Sequence, residues 1–402
     1  MLILFYVLAI PLILLSYRSY RGGIAYLKFF GEELAKPPGD YAPYATVIAP
    51  CKGVDEGMAE NFAALLAQDY PEYEIVFVVD DPQDPAGRVI EEEWEQSDKH
   101  VKLVVAPKAV DAGQKVENLR EGVLHASPQA KVFVFVDSDA RPARDWLRRL
   151  VSPLADPGTG ATTGYRWFLA ENPGFGSELR SAWNASIASA LGPNLNSNFC
   201  WGGSTAIRRD TFEKTRLRER WAGTLSDDFV VTRTMESEGL EIRFVPQALV
   251  ASIHNCSFGE MLEFTTRQMK ITRVYAPELW KVSLFGSGLF CVVILWSVLL
   301  VFFGDRLSFW AGIVMLFLVT AFSFGKAYLR MSAVELALPR YMKRLEKQRI
   351  WQYTLWLLTP PIFLYNSVAA GLSRRMEWRG RTYELVSATE TRVIDPIGNP
   401  ID

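Results

Sequence analysis

Apolar positions follow three different rhythms along this chain. Residues 1–15 are almost wholly apolar, and Arg18, Arg21 and Lys28 come after them. Between residues 46 and 250 the apolar runs are short, β-favouring and separated by segments with helical spacing. After Lys281 long unbroken apolar runs return. The middle region predicts strands over 46–49, 73–79, 101–105 and 132–136, with helices over 58–67, 85–96 and 115–126 between them. This alternation implies an α/β fold with a mostly parallel sheet and helices on both faces. Pro142 is expected to open a helix, since proline suits a first helical turn. Beyond it the pattern predicts strands over 160–168, 204–207 and 241–245 and helices over 176–191 and 229–238.

The outer regions read as membrane segments. A cleaved signal peptide has basic residues before its apolar run and a small-residue cleavage site after it. Here the basic residues come after the run and no such site appears, so the start reads as an uncleaved anchor. Arg18, Arg21 and Lys28 place the chain beyond that anchor on the cytoplasmic side. Residues 17–30 mix aromatic and basic side chains, as a helix lying at a membrane surface does. The stretches 282–303 and 307–324 are long enough to span, for which roughly 20 residues are needed, and contain no ionisable side chain. Basic residues crowd 326–349, and Pro360-Pro361 interrupts the apolar stretch 353–372. A re-entrant hairpin there would keep Arg374, Arg375, Arg379 and Arg381 on the basic, cytoplasmic side.

Charge and composition narrow the picture further. A net charge of −2 gives no electrostatic case for nucleic acid. Cys51, Cys200, Cys256 and Cys291 lack metal-ligand spacing, and His100, His125 and His254 share none either. No glycine-rich dinucleotide fingerprint or phosphate loop comes after a strand.

Chemistry concentrates in acidic stations at predicted strand and helix ends. Asp80-Asp81 closes the second strand and can meet a nucleotide, although Asp-Asp-Pro is also ordinary turn chemistry. Asp137 and Asp139 come directly after the fourth strand, where ligands sit in α/β sheets. The pair can hold Mg²⁺ or Mn²⁺, or one of them can cap the helix expected after Pro142. Asp227-Asp228 begins a helix. Asp227 can complement the helix dipole, and Asp228 can act as a general base toward an acceptor hydroxyl. Arg267, Lys270 and Arg273 form one cationic helix face that suits lipid headgroups or a sugar diphosphate. Trp201, Trp221 and Trp280 can line an acceptor's approach, or simply pack.

With these residues in hand, the chain resembles the ceramide glucosyltransferases, inverting family-2-type glycosyltransferases, in a bacterial-type form. The likeness rests on several short stretches in order. They are Lys52-Gly53-Val54-Asp55, Asp69-Tyr70-Pro71, Asp81-Pro82-Gln83-Asp84, Gly113-Gln114-Lys115, Asp137-Ser138-Asp139, Ser226-Asp227-Asp228 and Trp378-Arg379-Gly380-Arg381-Thr382-Tyr383. The resemblance implies a GT-A-type nucleotide-sugar-binding domain over 44–250, carried on transmembrane and interfacial helices. Around it lie an anchor over 1–17, an interfacial helix and linker over 18–43, interfacial helices over 251–281, a membrane region over 282–372 and a tail over 373–402. It implies a nucleotide-sugar site of Asp81, Lys115, Asn118, Asp137, Arg267 and Lys270, a divalent cation (Mn or Mg) on Asp139 and Asp137, and Asp228 as catalytic base. Trp201, Gly203, Trp221 and Asp227 would form the acceptor pocket. The family's arginine-tryptophan motif falls on Arg267-Gln268-Met269-Lys270-Ile271, where Lys replaces Arg and Ile replaces Trp. The implied reaction moves glucose from a UDP-sugar to the hydroxyl of a membrane lipid, ceramide, at the cytoplasmic face of a bacterial inner membrane. Diacylglycerol, a polyprenyl phosphate, or a hopanoid with UDP-N-acetylglucosamine as donor are rival acceptors. A polysaccharide synthase, a nucleotidyltransferase, a transporter and a non-catalytic membrane scaffold are more distant readings.

Overall fold

Strands that are apolar at almost every position need cover on both faces, and the chain supplies it. In the computed structural model, which describes residues 2–394, β1 (Ala45–Pro50), β2 (Tyr73–Val79) and β4 (Val132–Val136) are buried along their whole length. β3 (His100–Val105) alternates between exposed and buried, as an edge strand does. β5 (Thr159–Leu169), β6 (Ser204–Arg208) and β7 (Glu241–Ile253) complete a seven-stranded sheet in the order β3-β2-β1-β4-β6-β5-β7. Every pairing is parallel except those of β6, which runs antiparallel to both β4 and β5. The fold is therefore α/β with a mostly parallel sheet, as expected.

Two topological facts position the site. The chain builds outward from β1 to β2 and β3, then returns to place β4 on the other side of β1. The carboxyl ends of β1 and β4 thus flank a switch point, where α/β sheets bind ligands. Because β6 is antiparallel, its first residue, Ser204, sits opposite Val136 at the end of β4. The loop before β6 is thereby carried to the same edge. The helix Gln114–Leu124 packs hard on this part of the sheet. A Cβ on Gly122 would lie 2.7 Å from Ile48 and 2.9 Å from Val78.

Pro142 does not open a helix. The segment after β4 is held extended by an Arg141 N–H bond to the Ala251 carbonyl, and the next helix starts only at Trp146. The Gln68 side chain fixes that start, donating to Ala143 and accepting from the Leu147 N–H. Sheet pairing and this glutamine outweigh proline's local preference.

The chain divides into two units. The sheet unit takes residues 33–171, 190–254 and the segment from Arg374 onward. In that last segment β8 (Arg375–Trp378), β9 (Arg381–Leu385) and β10 (Thr391–Ile394) form a small antiparallel sheet. Trp378 pairs with Arg381, leaving Arg379 and Gly380 as a two-residue loop with φ of 51° and 75°. Both signs are positive, which is the hairpin turn matching strand twist.

The helical unit takes residues 1–32, 172–189 and 255–373. Three of its helices, Leu2–Leu34, Pro277–Phe303 and Arg306–Ala337, are long and apolar enough to cross a membrane. Phe5, Ala9 and Leu12 of the first pack with Val293 and Leu300 of the second and Met315 and Val319 of the third. The first is one continuous helix through Pro11 and on past residue 17, rather than an anchor with a separate surface helix after it. Neither Pro11 nor Gly22-Gly23 interrupts it, and Pro37-Pro38 lies just beyond its end. The third runs well beyond residue 324, and a buried ionisable group lies in that extension. Arg330 is buried and donates to Gln352. Pro339–Leu357 and Thr359–Leu372 are bent by 59° at the break before Pro360-Pro361. The helix Phe175–Ala188 packs within this unit, joined to Ser257-capped Phe258–Tyr275 through Leu179, Ala182 and Met261.

Candidate active site

At the carboxyl edge of β2 the two neighbouring aspartates part company. Asp80 points inward and is fully buried. It meets Lys52 at 2.6 Å, Arg381 at 3.3 Å and Lys108 at 3.4 Å. Burial works against its charge, but these cations outweigh it and hold its carboxyl below the usual range. Asp81 is exposed, accepts from the Gln83 N–H at 2.9 Å and lies 3.4 Å from Lys108.

At the end of β4 a different cluster forms. Lys115, in the first turn of the helix Gln114–Leu124, bridges Asp137 at 2.7 Å and Asp227 at 3.2 Å. Burial opposes the lysine's charge, yet Asp137 and Asp227 raise its affinity for the proton. Asp137 is correspondingly held low, against burial, by Lys115 and Arg166. Asp139 lies 3.7 Å from Arg166 of β5. Its carboxyl is pushed up, first by burial and then by Asp137 and Asp55, which together outweigh Arg166. Neither Asp137 nor Asp139 caps a helix, since none begins before Trp146. The capping alternative is thereby removed.

Asp227 and Asp228 open the helix Asp227–Ser237 behind Ser226. Asp227 is buried and its carboxyl is pushed up to about 6, by burial first and then by Asp228 and Asp137 against Lys115. Asp228 is half-buried and accepts from the Ser226 hydroxyl and the Phe229 N–H. The loop Trp201-Gly202-Gly203 threads between these acids. A Cβ on Gly202 would lie 1.9 Å from Asp227, and one on Gly203 would lie 2.2 Å from Trp201 and 2.7 Å from Asp137. Both positions must be glycine for lack of room. Trp201 lies under the Arg166 guanidinium at 5.2 Å. Trp221 is fully buried against Phe135 and Phe212 and donates to the Asp227 carbonyl. Asn118 is buried, donating to the Val78 carbonyl and accepting from Gln114.

Arg267 and Lys270 belong to the helical unit, on Phe258–Tyr275. Arg267 stands 3.6 Å from Glu263 and over Phe264, and burial lowers the Lys270 amine.

Among the described residues, no group of three or more His, Cys, Asp or Glu side chains is arranged to hold a metal. Asp137 and Asp139 nevertheless fit a hard cation. Mg²⁺ typically takes one or two protein carboxylates and completes its shell with phosphate and water, and both ions favour oxygen donors. Burial first, and Asp137 and Asp55 after it, raise the Asp139 carboxyl, and a cation beside it would favour its ionised form.

Sequence reading missed the contribution of the last strands. Arg379 makes two bonds to Asp55, at 2.8 and 2.5 Å. Arg381 reaches Asp80, and the Tyr383 hydroxyl accepts from the Gln114 N–H at 3.3 Å. The recurrence of arginine in Trp378–Arg381 was the available signal, but its partners lie some three hundred residues upstream.

Relatives of known activity share parts of this chain. An N-acetylglucosaminyltransferase from Rhizobium leguminosarum bv. viciae is 24% identical over 243 residues, covering 57% of this chain. The match spans little more than half of that relative's own length, 56%. Among solved structures, a mannosyltransferase from Pyrobaculum calidifontis, in complex with GDP-Man and Mn²⁺, is similar at 18% identity. Its TM-score is 0.48, over 92% of this chain and 98% of that one. Glucosyl-3-phosphoglycerate synthase from Mycobacterium tuberculosis is similar at 16% identity and a TM-score of 0.35, over 57% of this chain and 78% of that one. The pattern of glycosyl transferase family 21 matches residues 3–391, nearly the whole chain, and the protein therefore belongs to that family of glycosyltransferases.

Proposed function

We propose that this glycosyltransferase moves a hexose from a UDP-sugar to the hydroxyl of a membrane lipid, with UDP-glucose and ceramide as the donor and acceptor. The observation that carries the reading is the acidic cluster Asp137, Asp139, Asp227 and Asp228 around Lys115, at the sheet's carboxyl edge, in a family 21 chain with three span-length apolar helices. Asp81, the exposed member of its pair, is the carboxylate open to a nucleotide. Asp137 and Asp139 would hold a divalent cation, which when bound neutralises the departing diphosphate. Lys115 keeps Asp137 ionised and fixes the spacing between the β4 end and the helix at Asp227.

Asp228 is the base. Its carboxylate takes the proton of the lipid hydroxyl as that oxygen attacks the anomeric carbon, and the bond to the diphosphate breaks on the opposite face. One such displacement inverts the anomeric configuration through an oxocarbenium-like transition state. Trp201 and Gly203 border the acceptor's approach. The basic residues Arg18, Arg21 and Lys28 support a cytoplasmic sheet unit, and a bilayer-bound lipid requires a site held at the surface.

The relative named as an N-acetylglucosaminyltransferase favours a second donor, UDP-N-acetylglucosamine. Full-length protein in detergent, given each labelled UDP-sugar with ceramide, diacylglycerol or a hopanoid and Mn²⁺, tests both readings. Glucosylceramide supports the first and an N-acetylglucosaminyl lipid the second. No labelled lipid from any pairing sinks the lipid-transfer reading.

A further inference from the structure

Three cations surround the acids at the end of β4, and they differ in what they can still do. Lys115 and Arg166 are sunk among the carboxylates, with side chains 16% and 14% exposed. Arg379 is 47% exposed and makes two bonds to Asp55, in the loop that leaves the carboxyl end of β1 beside β4. It reaches that position from the tip of the β8–β9 hairpin. β9 is fixed to the sheet unit by Arg381, next to the tip, on Asp80 and by Tyr383 on Gln114.

The tip itself is a poor place for arginine on grounds of folding. A two-residue hairpin loop with both φ values positive favours Asn, Asp or Gly at its first position, and Arg379 holds that position at φ 51°. Its present partner does not explain the choice either. Asp55 holds it through two bonds but is itself 25% exposed, so another oxyanion arriving from solvent can exchange for that carboxylate. A guanidinium fork that is solvent-reachable, positioned by a clamped hairpin and already holding a carboxylate through two bonds matches a diphosphate, which it can grip in the same way.

We infer that Arg379 is the diphosphate-binding residue of the donor site, released from Asp55 when a nucleoside diphosphate arrives. This rests on the nucleotide-sugar reading above and adds to it a residue supplied by the last strands. Asp55 acts as a placeholder, keeping the fork aimed at the acids while the site is empty of phosphate. Phosphate oxygens then displace the Asp55 carboxylate, and no covalent bond changes.

The test uses the full chain in detergent with Mn²⁺, titrated with inorganic pyrophosphate and with UDP. Arg379→Gln should weaken both by about 10- to 100-fold, the range of a lost charge-assisted pair of bonds. Arg379→Lys should fall between the two, since lysine keeps the charge and loses the fork. Asp55→Asn should bind pyrophosphate as tightly as the wild type or more tightly, because it frees the guanidinium. A merely structural tie predicts the opposite: Asp55→Asn would lose affinity as much as Arg379→Gln. That result overturns the inference, as does unchanged affinity in Arg379→Gln. If wild-type protein binds neither probe, the nucleotide-sugar reading falls with it. If the wild type binds and Arg379→Gln binds equally, only the role of Arg379 falls.

Discussion

The sheet unit holds two acidic clusters that face opposite electrostatic problems. At the end of β2 the buried carboxylates Asp80 and Asp84 share Lys52, and Lys108 and Arg381 also reach Asp80. At the end of β4 four carboxylates crowd around Lys115 and Arg166, and two of them, Asp139 and Asp227, are pushed above their ordinary range. The first cluster is complete without a ligand and behaves as a latch for the last strands. The second is short of positive charge and has a use for a cation and a proton. Buried carboxylates alone do not identify a working site. The balance of charge around them does.

The sharpest way to separate the clusters is catalytic. Asp228→Asn should lower turnover by about 10²- to 10⁴-fold, the span of general-base contributions, with UDP affinity retained. Steady-state rates beside a UDP titration check this, and a near-normal rate would remove Asp228 as the base. Asp80→Asn should act on stability instead. Breaking a buried pair whose partners remain charged costs about 2–4 kcal/mol once the partners' partial exposure is discounted, readable from denaturant unfolding. A silent Asp80→Asn would end the latch interpretation.

Asp139→Asn should move in the other direction. Removing a carboxyl that is pushed up by its surroundings should raise the thermal midpoint while weakening UDP binding only when Mn²⁺ is present. A lower midpoint would mean that the second cluster is as balanced as the first. The smallest effect concerns pH. The Asp227 carboxyl is pushed from 3.8 to about 6, so between those values the folded chain binds more protons than the unfolded one. Stability therefore falls as pH rises across that window, and the full penalty is present above it. Asp80 is lowered, so its contribution is present above its unfolded value and is lost only as pH falls through the folded one. The stability difference between Asp227→Asn and wild type should change from about pH 4 to about pH 6.5 and be flat above, with Asp80→Asn flat throughout that range.

Much of this was legible from the sequence because it depends on local pattern. Strands buried on both faces, such as 132–136, announce themselves by unbroken apolar runs. The span-length helices do so by length. The acidic stations stood at the strand and helix ends where they were sought. What failed depends on distant partners. Pro142 obeyed β7, through Ala251, rather than its own helix preference. Which of Asp80 and Asp81 turns inward is a one-residue matter of strand register, and a period of two exchanges their faces. Arg379 and Arg381 looked like basic tail residues because Asp55 and Asp80 precede them by 324 and 301 positions. Gly203 came only through the resemblance and Gly202 gave no warning, since their necessity comes from Asp227, Trp201 and Asp137 closing around them.

The placement of β8–β10 sets an order of events during synthesis. These strands come after every span-length helix in the chain, yet they belong to the sheet unit. While a ribosome is still making the helical segments, β2 already exists, and Asp80 must wait for Arg381. Domains otherwise tend to fold as they emerge. Here the latch closes only after the span-length helices among the described residues have been made, so the sheet unit is finished last.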